Sequence, residues 1–220
     1  MITKISPLEK MLFTCIAFNM LLLCIRIVYT SDLMYGFYIW NTFLATVPLF
    51  FSRQLKKIKS LNFKACALMC CWLLFFPNAP YLVTDIFHFE QRPLVPYWFD
   101  LLIVTSAAWN GVVLGIASLM HVEKFLSRHF KTRSVLAIIF TSFLLGSYGV
   151  YLGRYLRYNS WDVVSHPATI IKTTSSHFIY PTEHLQTWAF TFSFAILLCI
   201  IYFTVKKLPE LFQADTMQNN

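Results

Sequence analysis

The sequence predicts an all-α, polytopic membrane helical bundle of about six transmembrane helices with both termini cytoplasmic. Three observations carry this. Of 220 residues, 57% are hydrophobic and only 13% charged, about half the charged share of an ordinary soluble domain. The mean hydropathy is +0.58. The apolar residues fall into six runs, and about 20 apolar residues suffice for a helix to cross the hydrocarbon core.

The runs are Met11–Tyr29, Gly36–Phe51, Ala65–Phe87, Phe99–Met120, Ser134–Gly153 and Leu185–Val205. The first is too long for a signal-peptide core and contains Arg26, so it reads as a retained span. Leu21-Leu22-Leu23-Cys24 lacks the small residues of a lipoprotein cleavage box. The third run is interrupted by Pro77 and Pro80. A proline inside a helix removes a hydrogen bond and clashes with the preceding turn, so this run is either one kinked span or a half-span followed by an interfacial piece. Neither an internal repeat nor a dividing linker is visible. One transmembrane domain is expected over residues 1–208, followed by a polar tail over 209–220.

Lysine and arginine set the orientation. Residues 52–64 hold Arg53, Lys56, Lys57, Lys59 and Lys64, and residues 121–133 hold Lys124, Arg128, Lys131 and Arg133. Lys4 and Lys10 precede the first run, and Lys206 and Lys207 follow the last. The alternate connections carry Asp32, Asp85, Glu90 and Asp100 instead. The positive-inside rule places the basic connections and both termini in the cytoplasm. The net charge of +8 then faces anionic headgroups. No nucleic-acid recognition motif accompanies it, and membrane lipids are the expected partners.

Spans of this kind associate through small residues. Gly111 and Gly115, with Ala107 and Ser118, form such a stripe on span four; Gly149 and Gly153, with Ser142 and Gly146, form one on span five. These two helices are expected to pack together. The six cysteines form no CxxC pair and read as buried free thiols, behaving as small hydrophobes.

With this orientation the polar residues gather at the outer third of the bilayer, where unsatisfied groups are costly. The expected arrangement is an outward-facing pocket lined by Asn41, Asn78, Asp85, His88, Asp100, Arg154, Arg157 and Asp162. Asn110 is the main midplane exception. Arg154 and Arg157 are three apart, so two guanidiniums either clamp an anion or neutralise nearby aspartates. Asp85-x-x-His88 places a carboxylate to orient an imidazole for acid–base work. Asp100 also suits a helix start, where the dipole favours a carboxylate. With His166, His177 and His184 scattered, the sequence assembles no metal site, and it identifies no cofactor. Ser160 lies in no nucleophile motif. Residues 154–185 form the longest connection, with Pro167 opening a short helix through Ile170 and Ile171.

At these motifs the chain resembles a bacterial membrane family catalogued as domain of unknown function 1361. The stretches are 40–45 (WNTFLA), 75–81 (FFPNAPY), 84–88 (TDIFH), 98–100 (WFD), 109–111 (WNG) and 151–162 (YLGRYLRYNSWD). Tyr158 stands where tryptophan is expected, and Asn110 where a small polar residue is usual. The resemblance covers residues 36–165 and implies a bacterial polytopic protein of the cytoplasmic membrane, without specifying an activity.

Three function classes stay open. The first is a membrane-embedded enzyme acting on an anionic lipid-linked or cell-envelope substrate, with Asp85, His88 and Asp100 in catalysis and Asn41, Asn78, Arg154, Arg157, Asn159 and Asp162 in binding. The second is a small transporter. The third is a non-catalytic scaffold or assembly factor of an envelope complex, its protein partners unknown. The one-sided charge favours the first, because a transport path needs polar groups on both sides of the midplane.

Overall fold

The computed structural model describes residues 7–90, 92 and 94–218, with side chains through residue 210. Lys4 and the last two residues of the expected tail lie outside the described residues. The described chain is helical, with no strand. Five helical segments are long and apolar enough to cross a membrane: Pro7–Thr30, Phe63–His88, Tyr97–Leu126, Thr132–Leu156 and Leu185–Glu210. The protein is a multi-pass membrane protein.

The chain forms two compact units, 1–131 and 132–220. The first contains α1 (Pro7–Thr30), α2 (Phe37–Lys56), α3 (Phe63–Phe75), α4 (Asn78–Thr84) and α5 (Tyr97–Leu126). At 30 residues, α5 is about 45 Å long. It packs against α1, α2 and α4. In its apolar window 56% of residues are buried, against 28% for α1, so α5 is the core helix and α1 lies at the periphery.

The expected second span corresponds to α2. It is 20 residues long, but it is not among the five, so the count differs from six. Asn41, Thr42, Thr46, Ser52, Arg53 and Gln54 lower its apolar content. These residues are tolerated because one face of α2 is buried against α3, α4 and α5, with Tyr38, Ala45 and Leu55 fully inaccessible.

The third expected span is one course of chain with a break in its hydrogen bonding. α3 starts at an Asn62 cap, whose side chain accepts from the Ala65 N–H at 2.9 Å, satisfying one of the open donors of a helix start. Pro77 has no N–H to donate, yet Phe76 and Pro77 both keep right-handed helical angles. Bonding resumes with the Ala79 N–H to the Phe76 carbonyl at 3.2 Å and the Tyr81 N–H to the Pro77 carbonyl at 2.9 Å. The prolines therefore divide the span into α3 and α4 without reversing it.

α4 occupies the small-residue stripe of α5. A Cβ on Gly111 would overlap the Ala79 carbonyl oxygen and lie 2.8 Å from the Leu82 Cβ, whereas one on Gly115 would meet the Ala79 Cβ at an ordinary 3.5 Å. The sequence reading seated span five here; the helix that takes the place is α4, because the break at Pro77 delivers small Ala79 and Pro80 to the glycines. The expected burial of the cysteines is also corrected. Cys24, Cys66 and Cys70 are exposed and the other three half-buried. The outer face of a membrane bundle meets lipid, so an apolar thiol gains little from turning inward.

The second unit contains α6 (Thr132–Leu156), α7 (Asp162–Ser165), α8 (Pro167–Ile179) and α9 (Leu185–Gln218). α6 packs on α9, with Tyr202 edge-on to Phe143. α8 is the expected helix opened by Pro167.

Candidate functional site

In the first unit the C-terminal end of α1, the start of α2, the end of α4 and the start of α5 bring two carboxylates into one polar cluster. Asp100 sits in the first turn of α5 and Asp85 opens a 3₁₀ turn, Asp85–His88, after α4. Both are buried, at 2% and 1% exposure.

Asp100 is held by Arg26 of α1. The guanidinium donates from Nε to Oδ1 at 2.7 Å and from Nη2 to Oδ2 at 3.3 Å, a two-point grip that fixes both orientation and charge. Arg26 is itself 2% exposed and lies over the Tyr35 ring, 4.2 Å from its centroid. Its Nη1 has no hydrogen-bond partner among the described residues. Arg92 faces the same ring at 5.8 Å. Burial, followed by the nearby Asp100 charge, pushes the Tyr35 phenol above its ordinary pKa, with Arg92 and Arg26 opposing. Tyr35 therefore stays protonated at neutral pH.

Aromatic contacts connect this pair to the second carboxylate. Tyr35 meets Tyr38 edge-on at 5.6 Å. The Tyr38 hydroxyl donates to the Asp85 carbonyl at 3.4 Å. Asn41, one turn further along α2, donates from Nδ2 to Asp85 Oδ2 at 3.1 Å. His88, exposed, packs edge-on to Phe37 at 5.5 Å. Residues three apart in a 3₁₀ turn share one side, so Asp85 and His88 point the same way from a buried and an exposed position. The cluster thus runs from Asp100 through Arg26, Tyr35 and Tyr38 to Asp85 and Asn41.

Asn78 lies at the start of α4, and its Nδ2 donates to the Phe75 carbonyl at 2.9 Å, within the proline break. Asn110 is 2% exposed and donates from Nδ2 to the Cys15 carbonyl at 3.3 Å, tying α5 to α1. Asn19 of α1 does similar work, donating to the Ile103 carbonyl at 2.9 Å and to the Ser106 hydroxyl at 2.6 Å.

In the second unit Arg154 is half-buried in the last turn of α6. Arg157 is exposed and has φ +59°. The Tyr158 N–H donates to the Leu152 carbonyl at 3.1 Å, so the chain turns back over the end of α6 through this left-handed residue. Asp162 organises the turn that follows. It accepts from the Asn159 N–H at 2.7 Å, the Asn159 amide at 3.3 Å and the Ser165 hydroxyl at 3.2 Å. The Asn159 backbone bond is the largest cause holding its carboxyl below the usual aspartate range.

The second unit has another group. His177 is 4% exposed, and its Nδ1 lies 2.9 Å from the Tyr148 hydroxyl. Its ring is 4.4 Å from that of His184, whose Nε2 lies 3.0 Å from the Ser176 hydroxyl. Burial, then the neighbouring His184, lowers the His177 pKa.

A family model described as "Protein of unknown function (DUF1361)" matches residues 40–201, well over half of the chain. The chain belongs to the DUF1361 family. No curated protein and no solved structure matches it. The DUF1361 match includes Asn41, Asn78, Asp85, His88, Asp100, Arg154, Arg157, Asn159 and Asp162. It begins after Arg26 and Tyr35, so part of the Asp100 end of the cluster lies ahead of the matched segment.

Each predicted residue is therefore placed within its own unit: Asn41 with Asp85, Asp100 with Arg26, Asn159 with Asp162. Sequence reasoning missed Arg26 and Tyr35 as members of the cluster. The signal for Arg26 is its charge inside an apolar run, since ionisable residues within spans are functional candidates by default. Tyr35 gave none, being one of many interfacial aromatics.

Proposed function

We propose that this DUF1361 protein binds an anionic lipid-linked or cell-envelope substrate at the carboxylate- and arginine-bearing end of its first unit, and acts on it by proton transfer. Asp85 orients His88 through their common 3₁₀ turn, and His88, the exposed member, exchanges the proton. The reading puts this end on the outer face of a bacterial cytoplasmic membrane, following the positive-inside rule. Within the second unit, Arg154 and Arg157 at the end of α6 are anion-binding residues of that unit in this proposal.

The observation that carries it is the buried Arg26 guanidinium, which grips Asp100 with two N–H groups while its Nη1 has no partner among the described residues. A buried donor left open is costly; an anionic acceptor supplied by a substrate satisfies it.

The test compares lipid extracts of cells carrying the intact protein, Asp85→Asn or His88→Gln. Both variants are expected to fold, to insert and to accumulate an anionic lipid-linked species that the intact protein consumes. Identical lipid profiles in all three would end the enzyme reading. The scaffold reading would then stand, favoured by the mutual satisfaction of Asn41 with Asp85 and of Arg26 with Asp100.

A further inference from the structure

The opposite end of the first unit carries a cleft of about 800 Å³ between α1, α2 and α5, within the size range of small-molecule sites. Its interior is apolar, built from Leu12, Phe13 and Ile16 of α1, Leu49 and Phe50 of α2, and Leu114 of α5. Its mouth is charged. Arg53, Lys56 and Lys57 stand there against a single lining carboxylate, Glu9. Arg53 holds Glu9 at 2.8 Å, and Lys56 and Lys57 are exposed beside the pair.

The two zones are stacked along the helices. From Glu9 to Ile16 the cleft descends about 10 Å along α1, and from Lys57 to Thr46 about 16 Å along α2, at 1.5 Å per residue. A positively charged rim above an apolar trough of that depth matches a molecule with an anionic head and a hydrocarbon tail. The excess of rim cations over Glu9 selects for negative charge, and the hydrophobic walls select against a free polar anion.

We propose that this cleft seats one anionic phospholipid, its phosphate at Arg53, Lys56 and Lys57 and an acyl chain along Ile16, Leu49 and Phe50. The seat is separate from the carboxylate cluster at the other end of α1 and α2 and does not depend on the function proposed for it.

The test is native mass spectrometry of the full chain released from vesicles of equal parts phosphatidylglycerol and phosphatidylcholine. The intact protein is expected to retain one phosphatidylglycerol in preference to phosphatidylcholine. Lys56→Gln with Lys57→Gln reduces that preference by about fivefold per cation removed, the equivalent of about 1 kcal/mol for each basic residue at an anionic surface. Ile16→Trp, which keeps the rim and fills the trough, abolishes retention of both lipids, and Thr46→Phe on the facing wall does the same if Ile16→Trp fails to fold. Lys131→Gln, at the same end but outside the cleft, changes nothing. Equal retention of the two lipids by the intact protein would overturn the proposal. So would an unchanged preference in the double lysine variant, or displacement of the lipid by millimolar glycerol 3-phosphate, which would mark the cleft as a site for a free phosphate.

Discussion

Arg26 of α1 and Asp100 of α5 form a two-point ion pair in which each side chain is almost wholly buried, at 2% and 3% exposure. Two charges removed from water are costly, and their attraction offsets that cost only while both are present. Arg26→Ala or Asp100→Ala alone is therefore expected to destabilise the protein by about 3–5 kcal/mol, and Arg26→Met with Asp100→Leu by much less. Thermal unfolding of the purified variants in detergent reads this directly. Losses that simply added in the double variant would show that the two residues do not act as a pair.

The stripe on α5 gives a second expectation. Gly111→Ala drives a methyl group into the Ala79 carbonyl, a backbone atom that cannot rotate away, while Gly115→Ala makes an ordinary contact. Overpacking of this kind costs about 1–3 kcal/mol. Gly111→Ala should lower the melting temperature and Gly115→Ala leave it nearly unchanged. Equal effects would mean that α4 does not sit on Gly111.

Arg157 closes α6 with φ +59°, a conformation that glycine adopts without the steric cost borne by other residues. Arg157→Gly relieves about 1–2 kcal/mol of left-handed strain and adds about 0.5–1 kcal/mol of chain entropy to lose on folding, so stability should be unchanged or slightly raised. If the same variant also weakens binding of an anionic substrate, the side chain serves recognition while the backbone serves the helix end. A marked fall in stability would assign Arg157 a structural ion pair instead.

Two groups of the second unit are both deprotonated at neutral pH, one as a charged carboxylate and one as a neutral ring, and they share one direction of pH dependence. The Asp162 carboxyl lies below its ordinary pKa, chiefly through the Asn159 N–H. The bonds it accepts are complete above the usual aspartate range and are lost as pH falls through the depressed value. Hydrogen exchange at the Asn159 amide should therefore quicken in acid, and be fast at all pH values in Asp162→Ala. Protection that persisted in that variant would remove Asp162 as its cause.

His177 lies below the ordinary histidine pKa through burial and His184. The folded state thus prefers the neutral ring. Its contribution is complete above the usual histidine range and declines as pH falls through that range toward the depressed value. The His177 ring resonances should titrate below the ordinary histidine midpoint. A midpoint at the ordinary value would place His177 in contact with water.

Spans, and the separation of basic from acidic ends, were legible in the sequence because both are local properties of the chain. Hydrocarbon demands apolar runs of a set length wherever they occur, and the two ends of the first unit follow from which connections hold the lysines. The candidate site was legible only in part. Asp85 and Asn41 stood out as polar residues at span ends, and Asp100 as a carboxylate at a helix start. That Asp100 faces Arg26, 74 residues away, and that α4 fills the glycine stripe, was decided by tertiary structure. α1 is apolar on nearly every side, so its sequence does not encode how it is rotated about its axis. The break at Pro77 sets which residues of α4 meet α5. Contacts between helices depend on those rotations and offsets, which are fixed only when the helices pack.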